Sequence, residues 1–183
     1  EDAKDTKGTV RATKSQANRE HNIRDEEYCK NQEHIGFKNK TEEEHEEWAK
    51  THVILDEKPE DAYERIFAEA IEKYDAKQKR SDRKIKSGKK YYEKIKNSKN
   101  KVPVYEYIMT LGNKDNLPDN SEEVRLIYIE ALEEFKARNP NMEVIGAYYH
   151  DDETRDDGKG GRVQGAPHMH VDYIPVSRNR WQN

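Results

Sequence analysis

The sequence predicts an α/β fold of the α+β type, in which a central antiparallel sheet is flanked by helices. Short segments rich in β-branched and aromatic residues alternate with longer segments whose apolar residues recur at helical spacing. The last two strand-like segments are joined by one polar loop, which predicts an antiparallel hairpin and argues against a doubly wound parallel sheet. The 183 residues are expected to form one domain, residues 1–183.

Four strands are predicted, over residues 52–55, 102–111, 144–149 and 169–176. Each segment is short, apolar and rich in Val, Ile or Tyr, which is typical of strands. Residues 1–32 are polar and show no clear hydrophobic period, so loops with one short helix are expected there.

Three helices are predicted: over residues 41–50, from Pro59 into a basic region, and over residues 124–135. Pro59 suits a first helical position, and Gly88 is expected to interrupt the long second helix. Asn120, with Glu123 three residues later, has the form of a helix N-cap and its reciprocal partner.

The composition limits the core and the classes of protein to which the chain can belong. Only 32% of residues are hydrophobic and 39% are charged, so we expect a modest core and an ionic surface. The single cysteine, Cys29, excludes an internal disulfide framework and fits a reducing, cytoplasmic location. No segment approaches the roughly 18 apolar residues of a membrane helix. Because the sequence starts at Glu1 and stops just after a strand-like segment, we expect a fragment of a longer protein.

Basic residues are concentrated in one segment, although the net charge is −4. Between Lys73 and Lys101 there are thirteen Lys and Arg but only three Asp and Glu. Such a block in an acidic protein indicates a polyanion-binding surface, and a solvated Lys-rich helix explains the charge equally well. Tyr91 and Tyr92 within it either stack on unpaired bases or, as we favour, pack an amphipathic helix. The candidate phosphate contacts are Lys79, Arg80, Arg83, Lys84, Lys86, Lys89 and Lys90.

Histidines around the predicted hairpin indicate a metal site. His168 and His170 lie two apart in a strand and so project to the same side. His150 ends the facing strand, and Glu153 adds a carboxylate three residues later. A His-x-His pair alone is more often a surface detail, but the convergence of all four favours a divalent transition metal with open positions for water or phosphate.

The segments around these residues resemble a known family of DNA-processing enzymes. Residues 150–154 and 167–170 resemble the His-x-Asp-Glu-x-Thr-Pro-His-x-His signature of plasmid mobilisation and recombination (Pre/Mob) relaxases. These belong to the His-hydrophobe-His (HUH) endonucleases. Residues 138–141, 104–115 and the His-Asn-x-Arg element at 21–24 are similar to other elements of this family. Together the matching pieces span most of residues 21–176.

The resemblance implies an HUH-relaxase-like fold and cleavage of one DNA strand at a plasmid or mobile-element transfer origin. His21 occupies the position of the nucleophile, which forms a covalent phosphoramidate, and Arg24 is expected to contact phosphate. The implied metal is Mn or Mg, held by His150, His168 and His170, with Glu153 as a further ligand. The implied substrate is single-stranded or hairpin origin DNA, and a homodimer is expected through a region beyond the C-terminus of this sequence.

Two departures from the family pattern stand out. Residues 155–166 intervene where the family runs almost directly from Thr to Pro-His, and a hairpin tip can absorb such an insertion. The family also has a first strand before the nucleophile, but residues 1–8 are too polar to resemble it.

Three other functions remain open at this stage. Tyr28 is the rival nucleophile of a rolling-circle replication initiator or transposase of the same class. A DNA-binding regulator with this fold that does not cleave is the second possibility, and a metal-binding module without a nucleic-acid partner is the third. Of the remaining histidines, His52 resembles a family position without a role that we can assign. His34 and His45 are expected on the surface.

Overall fold

The computed structural model describes residues 8–35, 41–111 and 122–177. The predicted helix cap at Asn120 and the Gly-Asn-Lys-Asp element at 112–115 lie outside these residues. No helix among the described residues has the length and apolar character needed to cross a membrane.

Strands and helices interleave along the described part of the chain. The strands are β1 Gly8–Gln16, β2 Val53–Asp56, β3 Tyr105–Leu111, β4 Met142–His150, β5 Thr154–Asp156, β6 Arg162–Gln164 and β7 His168–Pro175. The helices are α1 Arg19–Asn22, α2 Glu26–Lys30, α3 Glu42–His52, α4 Pro59–Ala76, α5 Gly88–Lys96 and α6 Glu122–Arg138, with a 3-10 turn at Ser81–Arg83.

Five strands form one antiparallel sheet in the order β1-β3-β7-β4-β2. The pairing of β4 with β7 confirms the predicted hairpin, and its register sets His150 opposite His168 and Tyr148 opposite His170. This mixed architecture, with helices on an antiparallel sheet, confirms the predicted fold class.

The two faces of the sheet carry different layers because successive residues of a strand point to opposite sides. On one face, Met169 and Val171 of β7 pack against Tyr128 and Leu132 of α6 in the main apolar core. On the other face, Ile145 and Ile174 meet residues of α4 and α5, including Tyr63 and Ile95. His168, His170 and Asp172 alternate with the core residues of β7 and therefore share the second face.

The N-terminal prediction was wrong because residues 8–16 form a strand rather than a loop. β1 pairs with β3 along seven residue pairs, from Gly8 opposite Leu111 to Gln16 opposite Tyr105. Its sequence is rich in Thr, Lys and Arg, as edge strands often are, so the hydrophobic pattern carries little signal. Two short helices follow where one was expected.

The helix that begins at Pro59 is shorter than predicted, since it ends at Ala76, just after the basic region begins at Lys73. Gly88 is the first residue of α5, and the hydroxyl of Ser87 caps that helix by accepting from the Lys90 amide. A Cβ atom at Gly88 would overlap the backbone of Tyr63 and Glu64, so this glycine permits the close crossing of α4 and α5.

Tyr91 and Tyr92 pack against α4, as the packing interpretation predicts. Their ring centroids lie 5.7 Å and 5.3 Å from that of Tyr63. Both rings are half-buried against the apolar cluster that joins α4 and α5 to the sheet.

Residues 155–166, which depart from the family pattern, form most of a separate two-stranded ribbon of β5 and β6. The Asp157 carboxylate accepts hydrogen bonds from the amides of Lys159 and Gly161 and so closes the turn. Gly158 and Gly160 in this turn have φ of 76° and 86°, which glycine adopts without strain. The insertion leaves the β4–β7 register intact at His150 and His168.

Candidate metal centre

Three imidazoles meet where β4 and β7 pair, on the face away from α6. The ring centroids of His150, His168 and His170 lie 4.8 to 5.4 Å from one another. His150 and His170 are buried, and His168 is partly exposed. The structure therefore brings together the three histidines that the sequence predicts as metal ligands.

Each of these rings has one nitrogen within about 3 Å of an oxygen atom that can accept its proton. His150 Nε2 lies 3.0 Å from the Asn22 carbonyl, and His168 Nδ1 lies 3.0 Å from the Ala166 carbonyl. His170 Nδ1 is 2.9 Å from a Glu106 carboxylate oxygen. If these nitrogens carry the protons, the lone pairs remain on His150 Nδ1, His168 Nε2 and His170 Nε2.

This pattern fits a divalent ion, because metal-bound histidines ordinarily donate their second nitrogen to a carbonyl or carboxylate. His170 Nε2 is buried and has no hydrogen-bond partner among the described residues, which a metal bond would satisfy. Burial also lowers the pKa of His150 and of His170, and this keeps both rings neutral and able to bind a metal.

His21 extends this trio to four imidazoles. Its ring centroid lies 5.2 Å from that of His150 and 5.1 Å from that of His170. One nitrogen from each of the four rings lies within 4.8 Å of the others, so the group could hold a metal ion. The structure thus places the predicted nucleophile directly beside the candidate metal site.

The helix that carries His21 is anchored to the sheet by polar contacts at both ends. At its start, Arg19 forms an ion pair with Asp56, which also accepts a hydrogen bond from the Tyr148 hydroxyl. At its end, the buried Asn22 side chain donates to Glu106 and Asp172. Because α1 has only four residues, these contacts rather than the helix itself fix its position.

Asn22, Glu106 and Asp172 form a buried polar group that the sequence analysis did not identify. Burial acts to raise the pKa of Glu106, but contacts with His170 and Asn22 outweigh it and lower that pKa. Burial and the nearby Glu106 charge raise the pKa of Asp172 to about 7. Asp172 lies two residues after His170 in β7 and so projects to the same face, and Glu106 is its cross-strand partner on β3. The alternation of β7 was therefore the available sign that an acidic side chain shares the face of His170.

Glu153 lies among the histidines, with its Oε1 atom 3.2 Å from His21 Nε2. The same atom is 3.6 Å from His150 Nδ1 and 3.7 Å from His168 Nε2. Burial opposes ionisation of Glu153, but its contacts with His150, His21 and Arg24 hold its pKa far below the ordinary value. It is therefore an ionised carboxylate beside the three rings, and its role as a metal ligand stays a prediction.

Arg24 is fully buried and does not face solvent as a phosphate contact would. Its Nη2 atom lies 2.6 Å from Asp152 Oδ1 and 3.0 Å from Glu153 Oε1. Its Nη1 donates to the His21 carbonyl at 3.1 Å. The expected DNA contact of Arg24 does not fit this arrangement, because the carboxylates already occupy the guanidinium.

His45 is not the surface residue that the sequence predicts, whereas His34 is partly exposed and borders the centre. His45 is only 6% exposed, on α3. His34 stacks on His21 with ring centroids 6.0 Å apart, and its carbonyl accepts a hydrogen bond from the Thr154 amide. That long-range pairing leaves no local signal in the sequence, so pattern analysis could not have found it.

His52 and Tyr28 also border the centre. His52 Nε2 lies 3.4 Å from Asp152 Oδ1, and His52 Nδ1 lies 2.9 Å from the Trp48 carbonyl. The Tyr28 hydroxyl accepts a hydrogen bond from Asn18 at 3.3 Å, and the Tyr28 ring is 5.8 Å from that of His21. Proximity alone therefore does not separate Tyr28 from His21 as a nucleophile.

The predicted phosphate contacts all lie on the exposed segment between α4 and α5 or in the first turn of α5. Arg80 is paired with Asp82, and Lys89 is paired with Asp61. Lys79, Lys84 and Lys90 are exposed and belong to none of the ion pairs of the described residues.

Removing one imidazole should weaken metal binding. We expect His168→Ala to reduce Mn²⁺ affinity at least about tenfold at neutral pH, because one ligand is lost. Affinity should also fall as the pH falls, since protons compete for the nitrogen lone pairs. Electron paramagnetic resonance of free Mn²⁺ measures both effects.

Met169→Leu is the matched control, because Met169 faces the core and its replacement should leave the affinity unchanged. Wild-type affinity in His168→Ala would contradict the site.

Comparison with known proteins agrees with this geometry. A family model described as plasmid recombination enzyme (Mob/Pre) matches residues 38–182. This range includes His150, His168 and His170, whereas His21 precedes it. Searches of curated proteins and of solved structures gave no match. Since the family model covers well over half of the chain, the protein belongs to the plasmid recombination enzyme family.

Proposed function

We propose that the protein nicks and rejoins one DNA strand at a plasmid or mobile-element transfer origin, through a covalent histidine–DNA intermediate. The observation that carries this proposal is the position of His21 beside three imidazoles, each of which has its second nitrogen within about 3 Å of an oxygen atom. Family membership supports DNA as the substrate. The homodimer expected from the sequence stays a prediction.

His150, His168 and His170 would hold Mn²⁺ or Mg²⁺, which when bound offsets negative charge on the scissile phosphate. A lone pair of the His21 imidazole attacks the phosphorus, and the bond from phosphorus to the 3′ oxygen breaks. Attack leaves the ring positively charged, and the proton that its other nitrogen then loses passes through water to the departing 3′ oxygen. The 5′ phosphate stays on His21 as a phosphoramidate. Rejoining is the reverse, because the 3′ hydroxyl attacks the phosphorus and displaces His21.

Glu153 and Arg24 act on His21 rather than on the DNA in this scheme. The Glu153 carboxylate lies 3.2 Å from His21 Nε2, where it orients the ring and offsets the positive charge that attack creates. Arg24 holds the carboxylates of Glu153 and Asp152 and the His21 carbonyl. We therefore infer a positioning role for Arg24 in place of a phosphate contact.

The basic segment between α4 and α5 is the proposed path of the DNA backbone. Its Lys and Arg side chains are exposed, and it joins two helices that pack on the sheet face carrying the histidines. Tyr91 and Tyr92 support this segment by packing and are not needed as stacking platforms.

The nucleophile is tested by covalent chemistry on a supercoiled plasmid that carries the protein's own origin. With Mn²⁺, the wild-type protein should give relaxed DNA and a protein-linked strand. His21→Ala should lower adduct formation at least about 1000-fold, because no other group replaces the nucleophile. Mn²⁺ binding by His150, His168 and His170 and non-covalent DNA affinity should stay nearly unchanged.

Tyr28→Phe is the matched control, since it removes only the rival hydroxyl next to His21. The adduct should persist in this variant and should be labile in acid, as a phosphoramidate is. An acid-stable adduct lost only in Tyr28→Phe would support a rolling-circle replication initiator instead. DNA binding without nicking under any divalent ion would support a regulator that does not cleave.

The basic segment is tested by the salt dependence of DNA binding. Replacing Lys79, Lys84 and Lys90 with Ala should reduce the slope of log affinity against log salt by about 0.7 to 0.9 per lost phosphate contact. Fluorescence anisotropy with a labelled origin oligonucleotide measures this slope. The control is Lys50→Ala with Lys136→Ala, two exposed or partly exposed lysines outside the segment. An unchanged slope in the triple variant would place the DNA path elsewhere.

A further inference from the structure

We propose that His34, His21 and Glu153 form a second cation site, which takes an imidazole-preferring divalent ion such as Zn²⁺ and thereby inhibits the enzyme. The inhibitory effect rests on the proposed role of His21, whereas the ion site rests on geometry alone. Neither the family resemblance nor the metal centre formed by His150, His168 and His170 assigns a role to His34.

The three side chains already approach the geometry that such an ion requires. One possible ligand atom from each lies within 4.8 Å of the other two. Zn²⁺ binds nitrogen and oxygen at about 2.0 to 2.2 Å in a tetrahedron, which sets its ligand atoms about 3.3 to 3.6 Å apart. His21 Nε2 and Glu153 Oε1 are already 3.2 Å apart, so the remaining requirement is the approach of His34, whose ligand atom lies within 4.8 Å of the other two.

Backbone hydrogen bonds hold His34 at this position. Its carbonyl accepts from the Thr154 amide at 2.8 Å, and Ile35 forms an isolated antiparallel β-bridge with Glu153. The Gly165 amide also donates to the Glu153 carbonyl at 2.8 Å. These contacts belong to the main chain, so the His34 side chain can be replaced without removing them.

The second site is more open to solvent than the neighbouring centre, in which His150 and His170 are buried. His21, His34 and Glu153 are each partly exposed, so an ion can enter directly from solvent. Two imidazoles and one carboxylate are a ligand set that suits Zn²⁺. Arg24 already contacts Glu153 and lowers its attraction for a cation, so this site should fill after the three-histidine site.

Filling the second site removes two groups from the proposed reaction. The ion takes a nitrogen of His21 and the carboxylate that orients it, so the ring is no longer available to attack phosphorus. Zn²⁺ bound at the second site should therefore stop the nicking that Mn²⁺ supports at the three-histidine site.

Metal stoichiometry tests the site without any DNA. Titration of the intact protein with Co²⁺, followed by its visible absorption, should show two bound ions in the wild type and one in His34→Ala. His34→Gln should repeat this result with a polar side chain. Glu33→Ala is the matched control because Glu33 is exposed and adjacent, and it should keep two ions.

Inhibition is tested in the Mn²⁺-supported nicking assay. His34→Ala should nick as the wild type does without Zn²⁺ but should need at least about tenfold more Zn²⁺ for half inhibition. Two ions in both His34 variants would overturn the site. Loss of one ion with unchanged Zn²⁺ inhibition would overturn the inhibitory role. A protein that binds two ions but never nicks would refute the proposed function and leave the ion site standing.

Discussion

The register between β4 and β7 is the constraint on which the candidate centre depends. It sets His150 opposite His168, and the alternation of β7 carries His170 to the same side. A shift by one residue would move these imidazoles to the face of α6 and bring Met169 out of the core. Met169 and Val171 pack against α6 on the opposite side of the sheet, and this packing fixes the register that brings the histidines together.

Buried polar contacts carry this constraint from the sheet to the helix that holds His21. The Asn22 carbonyl and side chain contact His150, Glu106 and Asp172, so α1 is fastened to three strands at once. Arg24 is buried only because Asp152 and Glu153 neutralise it, since an unpaired charge there would strongly destabilise the fold. The same network stabilises the structure and positions the proposed nucleophile.

The local sequence pattern was sufficient to predict the hairpin and the grouping of its histidines, because strand alternation alone determines which side chains share a face. It failed for β1, whose polar edge sequence owes its strand structure to pairing with β3. It also gave no sign of the contacts of His34 and Arg24, since these come from residues more than 100 positions away. Contacts of this kind arise from the tertiary fold and leave no periodic trace in the sequence.

The central claim is that three imidazoles bind one divalent ion beside His21. Anomalous diffraction at the manganese edge, from crystals of the protein soaked in Mn²⁺, tests it most directly. The account predicts its strongest peak among His150 Nδ1, His168 Nε2 and His170 Nε2, at about 2.0 to 2.3 Å from each nitrogen. A strongest peak held only by carboxylates, or one remote from this hairpin, would contradict it.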